Sequence, residues 1–267
     1  MSDTAAHSHR ELELLDALRR LGGSARSADL AKALDVSEET VRRTIKALSK
    51  GGTVQRVHGG ALLTGTQSDP SFFHRIAQHS EEKQKIAKRV AQKVHDGMTL
   101  FLDVGSTTAF VAEELRQKSS LTVATNSVGV AQVLASRNGN RVHLLGGEMQ
   151  SNERGTFGFV TERQARRFAF DMAVLSADAI SARHGLLYAN AAEAQLATVV
   201  VDCTEHVLAG LAHPKFDDKA PHCGPDPRNL DEIVTDKSPG KKLTAALNGW
   251  GVKIDVAKGK SSNAGKD

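Results

Sequence analysis

The sequence predicts an α/β protein in two parts, a winged helix-turn-helix at the amino end followed by a mainly parallel α/β domain. Three observations predict it. Three short amphipathic helical patterns precede a Gly-rich hairpin. From residue 81 onward, helix-like and strand-like stretches alternate with regularity. The 267 residues, 40% hydrophobic and 25% charged, suffice for two ordinary globular domains.

The first helix covers 10–21, with Leu12, Leu15 and Leu18 on one face and Leu14, Ala17 and Leu21 beside them, before Gly22-Gly23 break the pattern. Ser27 is positioned to cap a second short helix through Leu30, Ala31 and Leu34, and Asp35-Val36 links it tightly to Ser37, the cap of a third. There Val41, Ile45 and Leu48 fall at i, i+4, i+7, leaving Thr40, Arg42, Arg43, Thr44 and Lys46 on other faces. Glu38 and Glu39 occupy the first turn, where the helix dipole favours acids. Gly51-Gly52 stop the helix, and 53–63 reads as two short strands around a glycine-rich turn. The first domain is thus 8–64. Residues 65–80, mostly polar with one Pro and two Phe, read as a linker that docks its aromatics on a neighbouring domain. Ile86, Val90 and Val94 stripe a helix over 81–95, Asp96-Gly97 turns, and a strand follows at 98–103. Further strands are expected at 121–124, 142–145, 172–175, 207–211 and 233–234, with helices such as 128–135 and 191–201 between them. This second domain spans 81–256, and 257–267 lacks the apolar content to fold.

The formal charge of +4 is unevenly spread: residues 36–60 carry Arg42, Arg43, Lys46, Lys50 and Arg56 against Glu38 and Glu39. Such clustering is a footprint of phosphate-backbone binding, and an ordinary solvated helix face in a three-helix bundle gives the same count. With aromatics at only 4%, there is no stacking platform for single strands, so duplex DNA is the partner the composition favours. No apolar run reaches the ~18 residues of a membrane span, and the acid-bearing start is unlike a signal peptide, so the expected location is the cytoplasm. Cys203 and Cys223 are too few for a disulfide framework and lie outside any CxxC pair.

Ligands of open α/β sheets bind at the carboxyl ends of the strands. Three loops there stand out. Asp103-Val104-Gly105-Ser106-Thr107-Thr108 enters a helix, where glycine permits close approach, hydroxyls donate and helix-start N–H groups attract an anion. Thr125-Asn126-Ser127 and Gly146-Gly147-Glu148 leave the next two strands. Each alone is compatible with a cap or a turn; together they point to a small phosphorylated ligand. Lys215 is either a counter-charge to phosphate or a lone surface lysine. Neither GxxxxGK[ST] nor GxGxxG is present, GxSxG and HExxH are absent, and His206, His213, His222 and Cys223 match no zinc spacing. No cofactor or metal is expected.

The residues Val36-Ser37-Glu38-Glu39-Thr40-Val41-Arg42-Arg43, then Arg56-Val57-His58-Gly59-Gly60-Ala61, resemble the recognition helix and wing of DeoR-type bacterial transcription regulators. Glu82-Lys83, Ile86-Ala87, the 102–108 loop, Thr125-Asn126-Ser127, Leu144-Leu145-Gly146-Gly147 and Lys215-Phe216 resemble, in the same order, that family's sensor domain. The resemblance covers roughly 10–250. It implies a repressor of sugar or polyol catabolic genes, whose second domain has the sugar-phosphate isomerase and CoA-transferase type of fold and releases DNA when a phosphorylated sugar or polyol binds. It implies DNA contact by Ser37, Thr40, Arg42, Arg43, Thr44, Lys46, Arg56 and His58. Effector contact is implied for Asp103, Gly105, Ser106, Thr107, Thr108, Thr125, Asn126, Gly146, Gly147 and Lys215. Two departures stand out. Thr44 replaces an acid common in the family near DNA, and Leu211-Ala212-His213-Pro214 replaces an Asp followed by small polar residues, so that His213 is an alternative to Lys215 as effector contact.

The expected mechanism is a two-state switch in a homo-oligomer, dimer or tetramer, whose recognition helices lie in successive major grooves until effector shifts the arrangement. A sugar-phosphate isomerase with Asp103 as base beside Lys215 is the rival reading, and a constitutive DNA-binding protein with a degenerate sensor is the third.

Overall fold

The computed structural model describes residues 8–20, 24–57, 59–63, 72–150 and 152–257. Leu21, His58, the first part of the 65–80 segment and the 258–267 tail lie outside the described residues. The chain divides into two compact units, Met1–Gln78 and His79–Asp267. No helix among the described residues is long and apolar enough to cross a membrane.

In the first unit α1 (His9–Arg20) buries Leu14, Leu15, Ala17 and Leu18. Leu12, expected on that face, is exposed, because the buried stripe runs i, i+3, i+4 from Leu14. β1 (Ser24–Arg26), which the sequence did not announce, leads into α2 (Ser27–Leu34). The expectation that Ser27 caps α2 is corrected: Arg26 holds the cap position without a side-chain bond, and Ser27 is buried in the first turn. Asp35 closes α2 in the left-handed region at φ 51°, a conformation Asp tolerates better than most residues. Ser37 caps α3 (Glu38–Lys50) as expected, its Oγ accepting the Thr40 N–H at 3.2 Å. β2 (Val54–Val57) and β3 (Gly60–Leu63) pair antiparallel, and β1 joins the far side of β3, so the wing has three strands. α4 (Phe72–Ala77) lies inside the stretch read as a linker; it packs on β1 and buries Phe72. Leu14, Leu18, Leu30, Val41, Ile45, Leu48, Val54 and Ala61 form one core, as a helix-turn-helix with a wing requires.

The second unit opens with α5 (Ser80–Ala91), β4 (Thr99–Leu102), α6 (Ser106–Leu115), β5 (Thr122–Thr125), α7 (Val128–Leu134) and β6 (Arg141–Leu144). A hairpin of β7 (Glu148–Gln150) and β8 (Gly155–Phe157) precedes α8 (Phe159–Ala165) and β9 (Phe170–Leu175). Then come β10 (Ala179–Ser181), β11 (Gly185–Tyr188), α9 (Ala191–Val201), β12 (Thr204–Leu211) and β13 (His222–Cys223), of which β10, β11 and β13 form a small antiparallel sheet. β14 (Glu232–Thr235), α10 (Lys241–Gly249) and β15 (Lys253–Val256) close the unit.

Seven strands form one parallel sheet in the order β15–β14–β12–β9–β4–β5–β6. Its central strands are buried on both faces, which is why they read as continuous apolar runs. Leu100, Leu102, Val174 and Leu208 pack under α5, α6 and α7 with Ile86, Val111 and Val130. Phe101, Ala173, Leu175 and Ala209 face the other way, under α8, α9 and α10 with Ala165, Val200 and Leu243. From β4 the chain builds outward through β5 and β6, then restarts on the other side of β4 with β9 and continues through β12, β14 and β15. The order therefore reverses between β4 and β9, leaving a crevice at their carboxyl ends.

Candidate functional site

Two groups of residues present chemistry, one in each unit. In α3 the buried positions 41, 45 and 48 leave Arg42, Arg43 and Lys46 exposed, as Arg56 is on β2. The Arg42 guanidinium donates to Glu38 Oε2 at 2.9 Å and lies 3.8 Å from Glu39. Ser37 is exposed but committed to capping, and Thr40 is half-buried. Thr44 is a correction: the i, i+3, i+4 spacing from Val41 turns it into the core, where its hydroxyl donates to the Thr40 carbonyl at 3.0 Å. Its replacement of an acid therefore does not alter the exposed face. His58 lies outside the described residues.

In the second unit the switch crevice collects most of the expected loop residues. Asp103 follows β4, and Val104 donates its N–H both to Asp103 Oδ1 at 2.8 Å and to Asn126 Oδ1 at 2.9 Å, tying the ends of β4 and β5. Thr125 Oγ1 donates to the Leu102 carbonyl at 2.6 Å and accepts the Ser127 N–H at 3.0 Å. Gly105 immediately precedes α6, so Ser106, Thr107 and Thr108 form its first turn, all buried, with N–H groups at the positive end of the helix. A Cβ on Gly105 would stand 2.5 Å from Ser176 Oγ, so only glycine lets this loop approach the end of β9.

Ser176, which sequence reasoning missed, completes the crevice from the other side of the switch. Its N–H donates to Asp103 Oδ2 at 3.2 Å and its hydroxyl to the Val104 carbonyl at 2.7 Å. Lys215, after β12, reaches the same place: its ammonium donates to the carbonyl of Ala177, the next residue along. Gly146 and Gly147 sit one strand further out, where Gly146 accepts a bond from Thr161 at 2.6 Å and donates to Gln164 at 2.7 Å. They join the crevice through β8, because Thr156 donates to the carbonyls of both Leu145 and Asn126.

Burial pushes the Asp103 carboxyl up to about 7, against the donors from Ser176 and Val104 and with a small push from Asp178. Tyr188, at the end of β11, is buried with its phenol raised by the same desolvation and then by Asp103. Among the described residues, three buried side-chain polar atoms have no hydrogen-bond partner: Thr107 Oγ1, Asn126 Nδ2 and Tyr188 Oη. An orphaned buried donor costs ~1–3 kcal/mol, so a cluster of them at one crevice fits a pocket completed by a polar ligand.

Beyond β12 and β14, Glu82, His213 and Asp236 bring ligand-capable atoms within 4.8 Å of one another. His213 Nδ1 lies 2.7 Å from Asp236 Oδ2 and Nε2 lies 3.1 Å from the Lys237 ammonium. A ring donating to the carboxylate and accepting from the lysine satisfies both nitrogens, and the ammonium already supplies the positive charge the carboxylates need. His213 is therefore tied to Asp236 and Lys237, with its ring edge against His79.

Residues 78–237 match the family model of the DeoR C terminal sensor domain and 10–67 that of the DeoR-like helix-turn-helix domain. The chain is 29% identical over 234 residues to the glycerol-3-phosphate regulon repressor of Escherichia coli (strain K12), covering 88% of this chain and 93% of that protein. It is 30% identical over 246 residues to the HTH-type transcriptional repressor CsqR of the same organism, covering 92% and 93%. Among solved structures, a ribose 5-phosphate isomerase A from Methanocaldococcus jannaschii aligns at 16% identity over 52% of this chain and 55% of that one, with a TM-score of 0.39.

Proposed function

The chain belongs to the DeoR family of transcription regulators, and from that premise we propose that it represses carbohydrate or polyol catabolism genes in the cytoplasm and leaves its operator when a phosphorylated sugar binds. Arg42, Arg43 and Lys46 of α3 meet duplex DNA, with Arg56 of the wing on the backbone. The effector occupies the crevice between β4 and β9. Its phosphate rests on the N–H groups and hydroxyls of Ser106, Thr107 and Thr108, and its polar carbon chain meets Asn126, Asp103 and Tyr188. Gly146, Gly147 and Lys215 border that pocket.

The observation that carries this reading is the set of unpartnered buried groups, Thr107 Oγ1, Asn126 Nδ2 and Tyr188 Oη, beside a helix N-terminus at a strand-order reversal. Moving a two-state equilibrium from 1:99 to 99:1 takes about 5.5 kcal/mol of differential binding. Two to four charge-assisted hydrogen bonds at ~1.5–3 kcal/mol each supply it. Asp103 is committed to the N–H groups of Ser176 and Val104, and the similar proteins are named as repressors, so we read the pocket as sensing without turnover.

The test is retention of the upstream promoter fragment by the purified chain, titrated with a panel of pentose, hexose and triose phosphates. One member of the panel is expected to raise the melting temperature and release DNA at the same concentrations. Release by none of them, or steady product formation from the one that binds, defeats the reading.

A further inference from the structure

We infer that His213 and His79 are positioning residues for the effector response: they pass the state of the crevice to the point where the chain leaves one unit for the other. The inference rests on the crevice between β4 and β9 being the effector site, and assigns the residues that read its occupancy.

The route begins at Lys215. His213, Pro214 and Lys215 make one 3₁₀ turn after β12, closed by the Lys215 N–H on the Ala212 carbonyl at 3.0 Å and the Phe216 N–H on the His213 carbonyl at 3.1 Å. With proline at its centre fixing φ, a turn this short moves as a unit. Its Lys215 end donates to the neutral Ala177 carbonyl at the crevice, and a phosphate is the stronger acceptor for an ammonium. An effector that draws Lys215 toward its phosphate therefore pulls on His213.

His213 is held on the far side of that turn. Its N–H donates to Asp236 Oδ1 at 2.8 Å and its Nδ1 to Oδ2 at 2.7 Å, on a carboxylate only 3% exposed. Its ring meets that of His79 edge to face, with centroids 5.9 Å apart and planes at 73°. Gln78 ends the first unit and His79 begins the second. His79 directly precedes α5 at φ 51°, in the left-handed region that a residue other than glycine keeps only when its surroundings hold it. The His213 ring does so, together with the Glu82 carboxylate 3.9 Å from Nδ1 and the Lys83 N–H that the His79 carbonyl accepts at 3.0 Å. Loosening the ring contact frees an element-terminal residue of the kind at which hinges absorb a change of backbone angle.

α5 meets the crevice a second time. A Cβ on Gly210 of β12 would stand 3.1 Å from Thr107 Cγ2 and 3.3 Å from Ile86 Cγ2. Thr107 of the α6 first turn and Ile86 of α5 thus close on the same missing side chain. A shift of that turn is passed to the helix that His79 starts, because a close-packed interior transmits displacement.

The experiment uses the full chain with glycerol 3-phosphate, ribose 5-phosphate and glucose 6-phosphate as probes, and reads probe binding from the melting temperature and release from operator affinity with and without saturating probe. The variants are His213→Asn, whose amide keeps a donor for Asp236, and His79→Asn, since asparagine tolerates the left-handed region; both lack the ring. Each is expected to keep the native operator affinity without probe and the native half-saturating probe concentration. The factor by which probe weakens operator binding is expected to fall at least about fivefold in each, and no further in the double variant, because both act through one contact. Release as in the native chain, effects that multiply in the double variant, or a loss of release matched by an equal loss of probe binding overturns the inference and leaves the crevice reading standing. A native chain whose melting temperature none of the three probes raises defeats that reading, and this inference with it. Hydrogen exchange on the native chain gives an answer that needs no variant. The amides of Lys83 and His213 are expected to change protection when the probe that binds is saturating and DNA is absent, and no change at either overturns the inference.

Discussion

Arg43 and Lys46 leave α3 with no ion-pair partner among the described residues, whereas Arg42 is shared with Glu38 and Glu39. An exposed i, i+4 pair is worth only about 0.3–0.5 kcal/mol, so a DNA phosphate displaces it cheaply, and Arg43 is available with nothing to displace. Arg43→Ala is expected to weaken operator binding and lower the slope of log affinity against log salt by about 1. A salt titration of operator retention checks it, and an unchanged slope removes Arg43 from the backbone. Asp103 carries the other prediction at this scale. Its folded value of about 7 stands above the ordinary 3.8, so the unfolded chain loses its proton first as pH rises. The stability that protonated Asp103 contributes is full below about 4, falls away between about 4 and about 7, and is gone above that, an upper bound of about 4 kcal/mol. Thermal melts of native protein and Asp103→Asn from pH 5 to pH 8 are expected to shift steadily in favour of the variant. Parallel curves would mean that Asp103 ionises normally.

The elements most legible in advance were those whose burial has a clean period. Val41, Ile45 and Leu48 announced α3, and the continuous apolar runs of β4, β9 and β12 announced the sheet centre, because a strand covered on both faces has no polar alternation to confuse it. The elements that escaped are short or polar. β1 is Ser24-Ala25-Arg26 and is a strand only because β3 offers it an edge. β15 alternates Lys253 and Asp255 with Ile254 and Val256, and its charges are neutralised by Arg89, Lys93 and Glu232 from elsewhere in the chain. The turn after β6 was read from its glycines, and the structure supplies their reason. Gly147 has φ +144°, and a Cβ there would stand 2.2 Å from Thr161 Oγ1 and 2.5 Å from the Phe157 carbonyl. Gly147→Ala is expected to destabilise the chain by about 2–4 kcal/mol, from backbone strain together with a clash against backbone. Denaturant unfolding measures it, and a loss under about 0.5 kcal/mol would show that the turn relaxes freely.

For the molecule as a whole, a repressor of this design joins a reader to a sensor, so damage to the sensor should leave the reader intact. Ser106→Ala with Thr107→Ala is expected to retain operator affinity within about twofold while losing the effector-induced rise in melting temperature and release of DNA. Release that persists in this double variant moves the phosphate away from the start of α6. The sequence by itself determined the class of the protein: helix periods, caps and glycine turns are local, and local chemistry specifies the reader helix and the loops at the ends of β4, β5 and β6. Only the tertiary structure decided that Thr44 faces inward, that Ser176 meets Asp103 across 73 residues of chain, and that Lys215 reaches Ala177. Strand order is the reason. Which loop ends adjoin follows from where the sheet reverses between β4 and β9, and no stretch of sequence records its neighbour in a parallel sheet.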